Sequence, residues 1–123
     1  MKVLIIDDEE TILKMYGTKL SMAKIEVLTS EDGQKGIEMA AKEKPDVILL
    51  DIIMPNINGL DVLKMLKIRD ETKNIPVYLL TNLPQEASGE KAKELGAAGY
   101  MVKAEFEPQK LLEKIQSLPN NDQ

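Results

Sequence analysis

The sequence predicts an α/β fold: a doubly wound parallel sheet of five strands with five helices on its two faces. Three observations carry this prediction. Five short aliphatic runs recur along the chain, and each is followed by a longer stretch of helical period. The runs are continuous rather than alternating, as strands covered on both faces must be. Only one Phe, three Tyr and no Trp occur among 123 residues, so Val, Ile and Leu must fill the core.

The elements follow in order. Val3-Leu4-Ile5-Ile6 is an aliphatic run stopped by Asp7-Asp8. Residues 9–23 read as a helix, because Ile12, Leu13, Tyr16 and Leu20 fall on one face. Residues 25–29 make the second strand, closed by the turn-prone Ser30-Glu31-Asp32-Gly33. Gly36, Ile37, Ala40 and Ala41 form a second helical stripe that ends near Pro45. Val47-Ile48-Leu49-Leu50 is the third strand, again stopped by an acid, Asp51.

The loop Met54-Pro55-Asn56-Ile57-Asn58-Gly59 is rich in helix and strand breakers. Asn58 then caps a helix with Val62, Leu63 and Leu66 buried. Residues 76–80 are the fourth strand, and a helix over 85–95 ends at Gly96. Gly99-Tyr100-Met101-Val102 is the fifth strand. The last helix covers 107–118, with Leu111, Leu112, Ile115 and Leu118 inward. The six Met residues after Met1 read as core filler.

Composition excludes several functions. With no Cys there is no disulfide, thiolate catalysis or zinc-finger ligation, and with no His the commonest general base and metal ligand is absent. A metal here must therefore be a hard cation held by oxygen. Sixteen basic against 21 acidic residues give a net charge of −5, which argues against direct nucleic-acid binding. No apolar run approaches the roughly 18 residues of a membrane span, and the chain opens directly into a strand-like stretch. The expectation is a soluble, cytoplasmic domain over residues 1–118, followed by a polar tail at 119–123, with no membrane partner.

The polar residues of interest each follow a strand: Asp7 and Asp8, Asp51, Thr81 and Lys103. In a doubly wound sheet of order 2-1-3-4-5, the flavodoxin-like order, these strand ends lie side by side. Any one Asp at a strand end would serve to start a turn or cap a helix. All five residues on one edge indicate a site instead. Two carboxylates about 5 Å apart repel by roughly 3 kcal/mol at an effective dielectric near 20. A divalent cation removes that cost, and Mg²⁺ suits a few carboxylates completed by water and a phosphate oxygen.

On these residues the chain resembles a two-component response-regulator receiver domain of the chemotaxis-regulator kind, over residues 2–118. The likeness rests on Leu4-Ile5-Ile6-Asp7-Asp8-Glu9, on Asp32-Gly33 with Gly36 and Ala40, and on Pro45-Asp46-Val47-Ile48-Leu49-Leu50-Asp51. It continues through Met54-Pro55, Asn58-Gly59-Leu60, Ile75-Pro76-Val77 with Thr81, and Gly96-Ala97 with Tyr100 and Lys103. The resemblance implies that Asp51 accepts a phosphoryl group from a phosphohistidine. Because this chain has no His, the donor is a second protein, a sensor histidine kinase or a histidine phosphotransfer protein. It implies Mg²⁺ held by Asp7, Asp8, Asp51 and the backbone carbonyl of Ile53. Lys103 would pair with Asp51 or the phosphoryl oxygens, and Thr81 would donate its hydroxyl to them. Tyr100 occupies the aromatic switch position coupled to Thr81. The readout face would then be helix 85–95, strand 98–102 and helix 107–118. It would act on a downstream protein or an effector domain of the same polypeptide, as a monomer or a phosphorylation-dependent dimer. Such a chain is a switch that gains and loses its own phosphoryl group, not a turnover enzyme.

Four positions depart from the commonest receiver pattern. Ala104 stands where a Pro, joined to the Lys by a cis bond, is usual, and Asn82 replaces a small residue. Ile53 and Leu83, two residues past Asp51 and Thr81, are both apolar. Receivers that shed phosphate quickly carry polar groups there, so a comparatively long-lived phosphoaspartate is expected. Glu9 and Glu10 read as helix-starting acids that complement the dipole.

Other readings are weaker. An Asp-nucleophile phosphohydrolase of the haloacid-dehalogenase type needs an acid where this chain has Ile53. The glycines match neither a dinucleotide nor a Walker pattern. A phosphorylation-independent pseudo-receiver would not need the complete Asp, Thr and Lys set.

Overall fold

The computed structural model describes residues 1–118, so the expected tail at 119–123 lies outside the described residues. Five strands alternate with five helices: β1 (Lys2–Ile6), α1 (Glu10–Met22), β2 (Glu26–Ser30), α2 (Gly33–Glu43), β3 (Val47–Leu50), α3 (Gly59–Ile68), β4 (Val77–Thr81), α4 (Gln85–Glu94), β5 (Gly99–Val102) and α5 (Pro108–Ser117). A short 3-10 turn, Lys103–Glu105, follows β5. The sheet order is β2-β1-β3-β4-β5, and every pair is parallel. The predicted fold and strand order are therefore those observed.

Strand alternation sorts the core into two layers. Val3, Ile5, Val47, Leu49, Leu80 and Met101 pack with Leu13, Tyr16 and Leu20 of α1 and Leu111, Leu112 and Ile115 of α5. Leu4, Ile6, Ile48, Leu50, Val77 and Leu79 pack with Ile37 and Ala40 of α2, Val62, Leu63 and Leu66 of α3, and Ala92 of α4. Fully burying each of these larger aliphatic side chains contributes about 1.5–3 kcal/mol of transfer free energy.

Local chemistry sets the helix ends. The Asn58 carboxamide oxygen accepts from Leu60 N–H at 2.7 Å, which is the cap the sequence predicts. Gly96, at φ +99°, ends α4 in a paired hydrogen-bond closure: Gly96 N–H donates to Lys93 O and Ala97 N–H to Ala92 O, both at 3.0 Å.

Several boundaries and side chains differ from expectation. β2 begins at Glu26 rather than at residue 25, because Ile25 N–H still donates to Leu20 O at the end of α1. It extends through Ser30, which pairs with Ile6. Leu118 is half-buried rather than inward, since it lies just past the last turn of α5. The methionines are not uniformly core filler: Met54 and Met101 are buried, but Met22 is 77% exposed at the end of α1. The described residues contain no cis peptide bond, so Lys103–Ala104 is trans. No helix among the described residues is long and apolar enough to cross a membrane.

Candidate functional site

The sheet register assembles the site. Ile5 pairs with Leu49 and Ile6 with Leu50, so the next residues, Asp7 and Asp51, emerge side by side. Their backbones stay in the ladder a step further: Asp51 N–H donates to Ile6 O and Asp7 N–H to Ser30 O, each at 3.0 Å. Asp7 continues the alternation of Val3 and Ile5, Asp51 that of Val47 and Leu49, and Lys103 that of Met101. All three share the parity of the α1–α5 layer. Thr81 continues Val77 and Leu79, so it shares the parity of the opposite layer.

Lys103 lies at the centre. Its ammonium contacts Asp7 Oδ2 at 2.6 Å, Asp51 Oδ2 at 3.0 Å and Glu9 Oε1 at 3.3 Å. Asp7, Asp51 and Lys103 are all buried, whereas Glu9 is exposed. Burial pushes the Lys103 ammonium down, but the hydrogen bonds and charges of Asp7 and Asp51 outweigh it and hold the amine well above its ordinary value. Burial raises the Asp7 carboxyl, opposed by its hydrogen bonds from Lys103 and Glu9 N–H. Pairing and hydrogen bonding are what make such buried charges tolerable.

Asp51 is held at both oxygens. Oδ2 faces Lys103, while Oδ1 accepts from Ile52 N–H at 2.7 Å and from Ile53 N–H at a longer 3.4 Å. The loop past Asp51 returns tightly on itself, with Gly59 N–H donating to Ile52 O at 2.7 Å. A Cβ at residue 59 would collide with the Asp51 carbonyl oxygen, so this turn admits only glycine.

Asp8 is half-buried, and one carboxylate oxygen from each of Asp7, Asp8 and Asp51 lies within 4.8 Å of the others. Lys103 supplies one positive charge against these three acids and Glu9. A negative surplus presented by oxygen donors alone suits a hard divalent cation. The Ile53 side chain is 61% exposed beside this cluster in sequence.

Thr81 and Tyr100 form a second group. The buried Thr81 Oγ1 accepts weakly from Leu83 N–H at 3.4 Å. Tyr100 pairs with Leu79 across the sheet, and its hydroxyl donates to Leu83 O at 2.9 Å. Both residues therefore grip the segment that leads into α4. Burial raises the Tyr100 phenol, opposed by a hydrogen bond with Ser88.

Two neighbours of the site exceed what the sequence reading assigned them. Glu9 was expected to start the first helix; it is the N-cap residue of α1 but makes no side-chain cap, and pairs with Lys103 instead. The helical period puts Tyr16 on a buried helix face and says nothing of its hydroxyl. Its hydroxyl in fact donates to Phe106 O at 2.6 Å, just beyond Lys103. A Tyr within an otherwise aliphatic stripe was the available signal, because a buried phenol needs a partner.

Residues 3–116 match the family model described as the response regulator receiver domain. The chain is 38% identical to the probable transcriptional regulator ycf27 of Guillardia theta, over 95% of its own length and 44% of that protein. It is 33% identical to the alkaline phosphatase synthesis transcriptional regulatory protein PhoP of Bacillus subtilis, again over 95% of its length and 48% of the relative. Against these two it spans about half of the relative or less. It is also similar to the chemotaxis protein CheY4 of Vibrio cholerae, with a TM-score of 0.88 at 33% identity, covering 96% of this chain and 98% of that one. By its sequence, its strand order and the charges gathered at its strand ends, the chain belongs to the response regulator receiver domains of two-component systems.

Proposed function

We propose that residues 1–118 act as a phosphoacceptor switch, with Asp51 taking a phosphoryl group from a phosphohistidine on a partner protein. The observation that carries this reading is the Asp51 carboxylate itself: buried, fixed by Ile52 N–H at 2.7 Å and Lys103 at 3.0 Å, beside two further acids. An Asp51 oxygen attacks phosphorus, the P–N bond to the partner's imidazole breaks, and the imidazole leaves with a proton from solvent. Asp7, Asp8, Asp51 and the Ile53 carbonyl would hold Mg²⁺, which when bound neutralises charge on the transferring group.

The chain's own residues do the rest. The backbone N–H of Ile52 orients the nucleophile, and the β3–α3 turn at Gly59 holds that N–H in place. Lys103 moves from the Asp51 carboxylate to the phosphoryl oxygens as a mobile point charge. The Thr81 hydroxyl, which now accepts weakly from Leu83 N–H, turns to donate to the phosphoryl oxygens, and Tyr100 follows through its own bond to the Leu83 carbonyl. The change reaches a partner protein or an effector domain through α4, β5 and α5. The donor is a sensor histidine kinase or a histidine phosphotransfer protein, and the setting is the cytoplasm. The chain acts as a switch rather than a turnover enzyme.

Incubation with acetyl phosphate and Mg²⁺, followed by intact mass, tests the reading. One phosphoryl group should be gained, and Asp51→Asn or chelation of Mg²⁺ should abolish the gain. Failure with acetyl phosphate and with a panel of phosphorylated histidine kinases would establish a phosphorylation-independent interaction module. The apolar Ile53 and Leu83 offer no group to orient an attacking water. The phosphoryl group should therefore decay slowly, and Ile53→Asn with Leu83→Glu should speed its loss several-fold. Fast loss from the wild type, unchanged in that double variant, would refute this account of lifetime.

A further inference from the structure

The turn that carries Lys103 has little of its own to hold it. Lys103–Glu105 is a single 3-10 turn, closed by Phe106 N–H donating to Lys103 O at 3.0 Å. Ala104 and Glu105 are exposed, and Ala104 brings no proline ring to stiffen a trans backbone. Yet the Lys103 ammonium lies within 3.3 Å of three carboxylates on two other strand ends. An anchor outside the turn is required.

Tyr16 fits that requirement. It is 1% exposed, rises from α1, and packs in the same layer as Val3, Leu49, Leu111 and Phe106. Its hydroxyl donates to Phe106 O at 2.6 Å, across 90 residues of sequence. Phe106 thus gives its N–H to the Lys103 carbonyl and receives the Tyr16 hydroxyl on its own carbonyl. This one residue, through the two peptides that flank it, joins the lysine's turn to a buried helix.

We propose that Tyr16 is a positioning residue for Lys103, its hydroxyl fixing through Phe106 the turn from which the ammonium reaches Asp7 and Asp51. The consequence for phosphorylation rests on the switch reading given above, whereas the consequence for the turn does not. Tyr16→Phe removes one oxygen and keeps the ring, so the layer around it stays filled.

Two measurements test the proposal together. In Tyr16→Phe the amides of residues 103–106 should exchange with deuterium roughly fivefold faster, the opening expected for loss of one hydrogen bond. The exchange of β1 and β3 should not change. Phosphorylation by acetyl phosphate should slow in Tyr16→Phe, but Tyr16→Phe added to Lys103→Gln should be no slower than Lys103→Gln alone. Equal slowing in both backgrounds would mean a general structural effect and overturn the proposal. So would exchange at 103–106 identical to the wild type. If the wild type takes no phosphoryl group, the switch reading fails, and the exchange measurement alone then decides whether Tyr16 holds the turn.

Discussion

Helices α4 and α5 are each ten residues long and stand on either side of β5 in the chain, yet they are held in different ways. α5 buries Leu111, Leu112 and Ile115 against the sheet, whereas α4 buries only Ala92. Apolar area fixes α5. α4 depends on polar contacts at its two ends: the Tyr100 hydroxyl on the Leu83 carbonyl, and the Gly96 closure at its C-terminus. A helix secured mainly at its ends by hydrogen bonds can be repositioned by exchanging those bonds. One secured by three buried side chains must break a core first. In the proposed switch, α4 is then the moving part and α5 the fixed frame.

The sharpest way to break this comparison is to truncate both helices at their buried centres. Leu111→Ala should lower the unfolding free energy by about 2–5 kcal/mol, read from the denaturant midpoint. Ala92→Gly should cost only about 1 kcal/mol, mainly in helix propensity. Equal losses would mean that α4 is as deeply anchored as α5.

Gly96→Ala comes next. At φ +99° any side chain strains the backbone, and a loss of about 1–3 kcal/mol is expected. The loss should appear as faster amide exchange in the last turn of α4, with α5 unaffected.

Tyr100→Phe should cost about 0.5–1.5 kcal/mol, the net worth of one hydrogen bond. Exchange should rise at residues 83–88 only. An equal rise across α5 would show that the two helices open as one unit.

The smallest effect concerns Lys67, whose ammonium donates to Ile75 O at 2.8 Å and whose stem lies against the Gly96 site. Burial pushes its pKa below the ordinary 10.5, so the unfolded chain binds its proton more tightly. Its charge therefore opposes folding below that lowered value, and the opposition fades as pH rises toward 10.5. The stability of the wild type relative to Lys67→Met should accordingly climb over that alkaline interval. A flat difference would refute the assignment.

How much was legible beforehand follows from the range of each interaction. The Asn58 cap, the Gly96 terminus and the aliphatic strands are set by neighbours in sequence, and they stand as predicted. The start of β2 slipped by one residue because the tail of α1, closed at Lys24 with φ 65°, still holds Ile25. Gathering Asp7, Asp8, Asp51, Thr81 and Lys103 at one sheet edge needed only the strand ends and the parallel topology. Their sorting by side also lies in the sequence once the strands are known, because alternation gives Asp7, Asp51 and Lys103 one parity and Thr81 the other.

The sequence by itself thus determined the strands, their covering on both faces and the edge at which the acids collect, including the surplus of negative charge. Tertiary structure alone decided which groups touch. Lys103 bridges Asp7, Asp51 and Glu9, and Tyr16 reaches Phe106 across 90 residues. The physical reason is reach. Periodicity and capping act within a few residues, where side-chain identity is enough. A contact between residues 52 to 96 positions apart depends on how helices and strands settle against one another, to within the length of a hydrogen bond.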